Sequence, residues 1–441
     1  MDMCNGPIFT KIIAFAVPLI ASGILQLLFN AADIVVVGRF AGNESLAAVG
    51  STSSLINLLI NVFMGLSVGV NVMVARYYGA QSPKDLEETI HTAMVVAVAG
   101  GLVLVAVGVS LAAPLLKMMG TPEDVLPLSV LYMRIFFAGM PATLIYNFGS
   151  AILRAVGDTK RPLYFLLFAG IVNVLLNLMF VIVFSMGVAG VALATVISQC
   201  ISAVLIVGCL IRSQAGYRLC LNRLRIVRDK LFSIVSIGLP AGLQGAIFSI
   251  SNVLVQSSVN SFGSVAMAGN TAAANIEGFV YTGMNAIYQT ALSFGSQNFG
   301  AKNYKRMTKI QIYCIIIVAV VGFVLGNGVV FFGPQLLGIY SSDQAVVQYG
   351  MYRLRIIATF YLACGLMEVM VGGLRGMGCS VLPMIVSLTG ACALRVVWIY
   401  TFFAMNRTLE TLYISYPISW AVTFGAHLVT YIIIRRKKGY Q

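Results

Sequence analysis

Twelve apolar runs, each long enough to cross a bilayer as a helix of about 20 residues, leave this chain few choices of fold. They begin near Lys11, Leu46, Thr89, Val125, Pro162, Val188, Leu231, Ala266, Met307, Ala345, Pro383 and Leu409, six in each half of the 441 residues. Lipid offers no partner to a bare amide or carbonyl, so each run must satisfy its own backbone, and runs of this length do so as helices. With 59% hydrophobic and only 10% charged residues, the chain lacks the polar surface to coat a water-soluble globule. The expected fold class is an all-α polytopic membrane protein with 12 transmembrane helices in two pseudo-symmetric six-helix bundles.

The two halves are copies of one unit. LRAVGDTKRP, ending at Pro162, returns 221 residues later as LRGMGCSVLP, ending at Pro383. The same offset relates Gly79-Ala80 to Gly300-Ala301, Arg134-Ile135 to Arg355-Ile356, and Arg154 to Arg375. Pro18 and Pro240, in VPLIASG and LPAGLQG, lie 222 apart in the first helix of each half. Proline costs about 3 kcal/mol inside a helix, so its placement at matching points predicts a shared bend and a conformational hinge at Pro18 and Pro240. The expected division is an N-terminal lobe over 1–215, a basic linker over 216–230 and a C-terminal lobe over 231–441. Six spans is an even number, so both halves enter the membrane from the same side, and their interface is the natural seat for a small-molecule substrate. A duplicated bundle of this kind points to a transporter.

Charge sets the expected orientation. Most of the 28 lysines and arginines fall at the two ends or in even-numbered connections, whereas the odd-numbered connections hold only Arg39, Lys117 and Arg407. Positive charge accumulates on the cytoplasmic side, so both termini are expected there, in a multi-pass protein of the cytoplasmic (inner) membrane. The net charge of +14 concentrates at Arg212 to Lys230 and at Arg435 to Lys438. Membrane lipids with anionic headgroups account for these clusters, and no aromatic-interleaved basic motif argues for nucleic acid. No cleavage site interrupts the first run, which is expected to remain as a helix.

Catalytic motifs are missing. GGLRGMG lacks the lysine of a phosphate-binding loop, no HExxH or GxSxG occurs, and the eight cysteines form no CxxC pair. His91 and His427 stand apart and read as packing or interface residues. The chain is therefore expected to be no enzyme, to need no cofactor, and to draw any uphill transport from an H+ or Na+ gradient. All but three of the 14 acids lie at ends or in connections, the exceptions being Asp33, Glu277 and Glu368. A carboxylate in the bilayer costs at least a few kcal/mol, so such residues face a cavity, pair with a cation or carry protons. Tyr281 and Tyr288 share a helix face with Glu277, and Met284 and Met367 lie near the two C-half acids, a lining suited to a hydrophobic cation and equally to core packing. Arg395 can pair with Glu368 or Glu277, or meet an anionic substrate. Glu368 lies seven residues before Arg375, where the first half has Asn147 seven before Arg154, an asymmetry that marks both as cavity candidates.

The stretch LFNAADIVVVGRFAGNESLAAVG around Asp33, the span endings ARYYGAQ and SQNFGA, and the paired LRAVGDTKRP and LRGMGCSVLP resemble the multidrug and toxic compound extrusion (MATE) transporters over essentially the whole chain. The resemblance implies two six-helix lobes around a central cavity and export of amphipathic, often cationic, compounds in exchange for protons or sodium ions. Asp33 falls on the family's first-helix aspartate that takes up the coupling ion. Asn173 and Asn177 fall on its Asn-x-x-x-Asp pattern with asparagine in place of the aspartate, which removes a titratable group and leaves the ion open. Residues four apart share a helix face, so the two amides can converge on Asp33, and the three can supply part of a sodium shell. In the seventh span, where some sodium-coupled members carry a glutamate, Ala241 to Ile250 offers Gln244 and Phe248 and no acid.

The reading is a secondary active multidrug exporter working by alternating access, expected to function as a monomer. Alternatives are a related exporter or flippase for a lipid-linked or peptide-like compound and, in another class, a membrane-embedded enzyme or receptor-like scaffold.

Overall fold

The computed structural model describes residues 1–214, 216–437 and Gly439, without the side chains of Asn43 and Ser54. The expected boundary at Ala215 and the Lys438 end of the basic cluster lie outside these residues. Twelve long helical segments follow in order: α1 Ile8–Phe40, α2 Asn43–Gly79, α3 Pro83–Met118, α4 Leu126–Ala138 with Met140–Ala155, α5 Lys160–Val183 and α6 Gly187–Arg212. The second half continues with α7 Arg228–Asn260, α8 Ser264–Gly300, α9 Tyr304–Phe331, α10 Gln344–Ala358 with Tyr361–Gly376, α11 Val381–Phe403 and α12 Leu409–Lys437.

Among the described residues, nine of these helices are apolar and long enough to cross a membrane singly, and the bent pairs α4 and α10 raise that to eleven. The twelfth, α8, has 37 residues but carries Asn270, Glu277, Thr290, Ser293, Ser296, Gln297 and Asn298, all buried. Its polar groups turn into protein rather than lipid, which lowers its hydropathy without removing it from the bundle. All-helical construction with twelve helices in two bundles therefore holds.

The repeated sequence folds into repeated local geometry. After α4, Gly157 takes φ +91°, the Gly157 amide donates to Arg154 O (3.0 Å) and the Asp158 amide to Leu153 O (2.8 Å). After α10, Gly378 takes φ +84°, with Gly378 donating to Arg375 O (2.8 Å) and Cys379 to Leu374 O (3.1 Å). This left-handed cap returns two orphan carbonyls of each helix end to hydrogen bonding, and a side chain at either glycine would strain it. Gln81 and Lys302 occupy the equivalent left-handed position after α2 and α8, at φ +51° and +56°. Both α4 and α10 bend by 47°. Pro141 opens the second segment of α4, whereas a π-helical turn over Leu354–Ala358 precedes the break in α10. One bend thus has two local causes.

The chain divides into two compact units. Unit 1 comprises Met1 with Ala21–Gly242, and unit 2 comprises Asp2–Ile20 with Leu243–Gln441. The divisions lie inside α1 and α7, each two residues past its proline, rather than in the 216–230 connection. The physical reason is packing of the leading segment of each helix. In unit 1, α7 meets α2 backbone to backbone: a Cβ on Gly65 would stand 2.1 Å from the Gly242 nitrogen, and one on Gly69 2.3 Å from the Ile234 oxygen. In unit 2, the first turns of α1 meet α8 through Phe15 and Phe294, edge to face at 5.4 Å, and Asn298 donates to Met3 O at 3.2 Å.

Candidate functional site

Unit 1 brings Asp33, Asn173 and Asn177 together. Gly170 lets α5 approach α1, since a Cβ there would fall 1.9 Å from the ring of Phe29. One turn later, Asn177 Nδ2 donates to the Asp33 carboxylate and, at 3.2 Å, to Asn173 Oδ1. Both asparagines are buried, while Asp33 is half-buried. Asn177 Oδ1 is buried without a hydrogen-bond partner among the described residues. Asp33 has no basic partner there either, and its charge is met by amide dipoles alone. Carboxylate and amide oxygens are hard donors of the kind that sodium takes, and an unpaired carboxylate equally takes a proton. Tyr132 of α4, buried and within electrostatic reach of Asp33, was not singled out by the sequence. Only its tertiary placement reveals it. Asn147 lies elsewhere, half-buried, donating to Thr143 O of its own helix at 2.9 Å.

Unit 2 treats its acids differently. Glu277 is 3% exposed and is held by both arms of Arg353, Nε to Oε1 at 3.0 Å and Nη2 to Oε2 at 2.8 Å. Arg353 Nη1 donates to Asn270 Oδ1 at 2.8 Å, and the Tyr413 hydroxyl donates to the same oxygen at 3.0 Å. Asn270 passes the chain on to Gln256 Oε1 at 2.7 Å. A buried guanidinium bound to a carboxylate in this fork geometry neutralises it and satisfies most of its donors. The expected pairing of Arg395 with Glu277 or Glu368 does not form: Arg395 Nε donates to Ser419 Oγ at 2.9 Å, and its guanidinium sits 4.1 Å from the Tyr416 ring centroid. The partner is Arg353 instead, 76 residues along the chain from the acid.

The remaining residues scatter through unit 2. Glu368 is half-buried and forms none of the ion pairs among the described residues. Tyr281 is on its electrostatic horizon and partly exposed. Met284 is fully buried in an apolar cluster with Val280, Ile287 and Met367, and Tyr288 accepts a hydrogen bond from Arg375 Nη1 at 2.8 Å. Arg375 Nη2 donates to Gln244 Oε1 at 2.9 Å, which makes a hub of the residue where a glutamate was looked for. Pro18 and Pro240 are buried within unbroken α1 and α7. His427 meets Ser387 Oγ at 3.0 Å in the core.

This architecture has known counterparts. The chain is 27% identical over 96% of its length to the probable multidrug resistance protein YoeA of Bacillus subtilis (strain 168), covering 93% of that protein. It is 23% identical to an FAD transporter of Shewanella oneidensis, with 82% of this chain and 81% of the relative covered. Among solved structures, an outward-facing multidrug resistance MATE family transporter of the MOP superfamily superposes with a TM-score of 0.93 at 21% identity, over 100% of this chain and 98% of the other. A MOP superfamily transporter from Pyrococcus furiosus gives 0.92 at 22% identity, over 98% and 97%. The profile of one family matches twice, over residues 18–179 and 240–401, repeating the duplication read from the sequence. The chain belongs to the MatE family of multidrug and toxic compound extrusion transporters.

Proposed function

We propose that this transporter exports amphipathic, cationic compounds by antiport with protons or sodium ions, with Asp33, Asn173 and Asn177 as the ion-coupling group. The observation that carries this is the state of Asp33: an acid in a membrane span met by amides and by no cation among the described residues. Such a carboxylate gains most from an arriving proton or sodium ion. For antiport the ion and the substrate must favour opposite conformations. Bending of α1 at Pro18 and of α7 at Pro240 is the proposed route, with the six-helix halves 1–215 and 231–441 alternating access as a monomer. The proposed setting is the cytoplasmic membrane, with both termini inside. Glu368, Tyr281, Asn147, Tyr288 and Met284 remain the proposed cavity residues, and Glu277 acts there through its pair with Arg353.

One observation favours a second reading. Arg395 is 2% exposed, has no carboxylate partner among the described residues, and leaves Nη2 without a hydrogen bond. A substrate bearing a carboxylate or phosphate would satisfy it. Export of a fluorescent organic cation and of a fluorescent organic anion from proteoliposomes, under separately imposed proton and sodium gradients, tests both. Cation export driven by one gradient supports the first reading; gradient-driven anion export alone replaces it with the second.

A further inference from the structure

The repeat exposes a difference between the units. In unit 1 the groove between α3 and α6 is filled by the chain itself. The connection after α6 turns back so that the Leu219 amide donates to Leu210 O at 3.1 Å, and Leu219 is 1% exposed. Next to it, His91 of α3 accepts the Cys220 amide on Nε2 at 3.0 Å. Above this plug, Glu87 and Glu88 pair with Arg223 (2.9 Å) and Arg225 (3.1 Å) of the same connection.

The residues 221 positions further on line an open groove in unit 2. His91 and Leu210 correspond to Ile312 of α9 and Tyr431 of α12, and both border a cavity of about 380 Å³. Its walls are apolar, formed by Ile312, Ile315, Leu428 and Ile432 with Met370 behind. Arg435 and Arg436 close one end, Arg435 being fixed there by its hydrogen bond to Thr308 and lying 5.8 Å from the Tyr431 ring centroid. The two acids that neutralise the plug of unit 1 have become Thr308 and Lys309. The rim is thus cationic and uncompensated by carboxylates at those positions, at the end of a membrane span where headgroups lie.

We propose that this groove is a binding site for an anionic phospholipid, whose phosphate meets Arg435 and Arg436 and whose acyl chain lies along Ile312, Ile315, Leu428 and Ile432. The lipid takes the place in unit 2 that Leu219 and its neighbours take in unit 1. A slot with apolar walls and a cationic end matches both parts of such a molecule. The site stands on unit 2 alone and is independent of which ion or substrate is transported.

The test is titration of the purified full-length protein with phosphatidylglycerol or phosphatidylcholine of identical acyl chains, followed by native mass spectrometry. The wild type is expected to retain one phosphatidylglycerol at least fivefold more tightly than phosphatidylcholine. Arg435→Gln/Arg436→Gln is expected to lose that preference. Ile432→Trp, which keeps the charge and fills the slot, is expected to lose the tight lipid altogether and covers the case in which the arginine variant fails to fold. Equal retention of the two lipids by the wild type overturns the proposal, as does unchanged phosphatidylglycerol binding in Ile432→Trp. A loss of equal size in Lys160→Gln/Arg161→Gln, on the exposed α4–α5 connection, also overturns it, because surface charge anywhere would then suffice.

Discussion

Asp33 in unit 1 and Glu277 in unit 2 are both acids within the helical bundle, yet Asp33 is met by asparagine amides and Glu277 by a guanidinium. The position that supplies the difference is the same in the repeat: Tyr132 of α4 lies near Asp33, and Arg353, 221 residues later in α10, grips Glu277. Duplication has kept the scaffold, including matched caps at Gly157 and Gly378, while one substitution on a shared position turned one acid towards ion chemistry and the other towards structure. A bundle that coupled through both acids would need both to be available to a cation. Here only the first is.

The largest effect that can break this comparison is loss of the Glu277 partner. Arg353→Ala leaves a buried carboxylate without its cation, and the expected destabilisation is about 3–5 kcal/mol, read as a lower Tm in detergent. Adding Glu277→Gln is expected to recover much of it, since the neutral amide no longer needs the guanidinium; no recovery would mean that the Asn270 and Tyr413 contacts carry the stability instead. A middle-sized effect belongs to the scaffold of the other acid. Gly170→Ala forces Cβ against Phe29 at a crossing with no room, for an expected loss of about 1–3 kcal/mol. Its coupled transport is expected to fall with it, because α5 carries both asparagines. Phe29→Leu in the same chain should restore part of each; restored stability without restored transport would separate packing from the asparagine contact. The smallest effect is at the connection: Arg225→Gln removes an ion pair with an exposed arginine, and a change of about 0.2–1 kcal/mol in unfolding free energy is the expected outcome.

Much of unit 1 could be read from the chain before any coordinates. Asn173 and Asn177 lie four apart on one helix, and local spacing is what sequence displays best. The duplication, the caps and the bend positions were equally visible, because they rest on glycine, proline and an offset that repeats. Arg353 was not, since its pairing with Glu277 spans 76 residues and depends on how α8 and α10 pack. Arg395 looked like the natural partner for want of that geometry. The packing of α7 against α2 escaped for a related reason: Gly65, Gly69, Gly238 and Gly242 read as ordinary small residues until their backbones are seen in contact. The polarity of α8 also makes sense only once its polar face is known to be buried.

The most direct test of the central claim compares two proteins in liposomes under imposed proton and sodium gradients, Asp33→Asn and the double variant Glu277→Gln/Arg353→Gln, each checked for folding. The account predicts that Asp33→Asn loses gradient-driven export at least tenfold while still binding the transported dye, and that the double variant remains coupled to the same ion as the wild type. Coupled export by Asp33→Asn at the wild-type rate, with coupling lost in the double variant, would contradict it and assign the ion to unit 2.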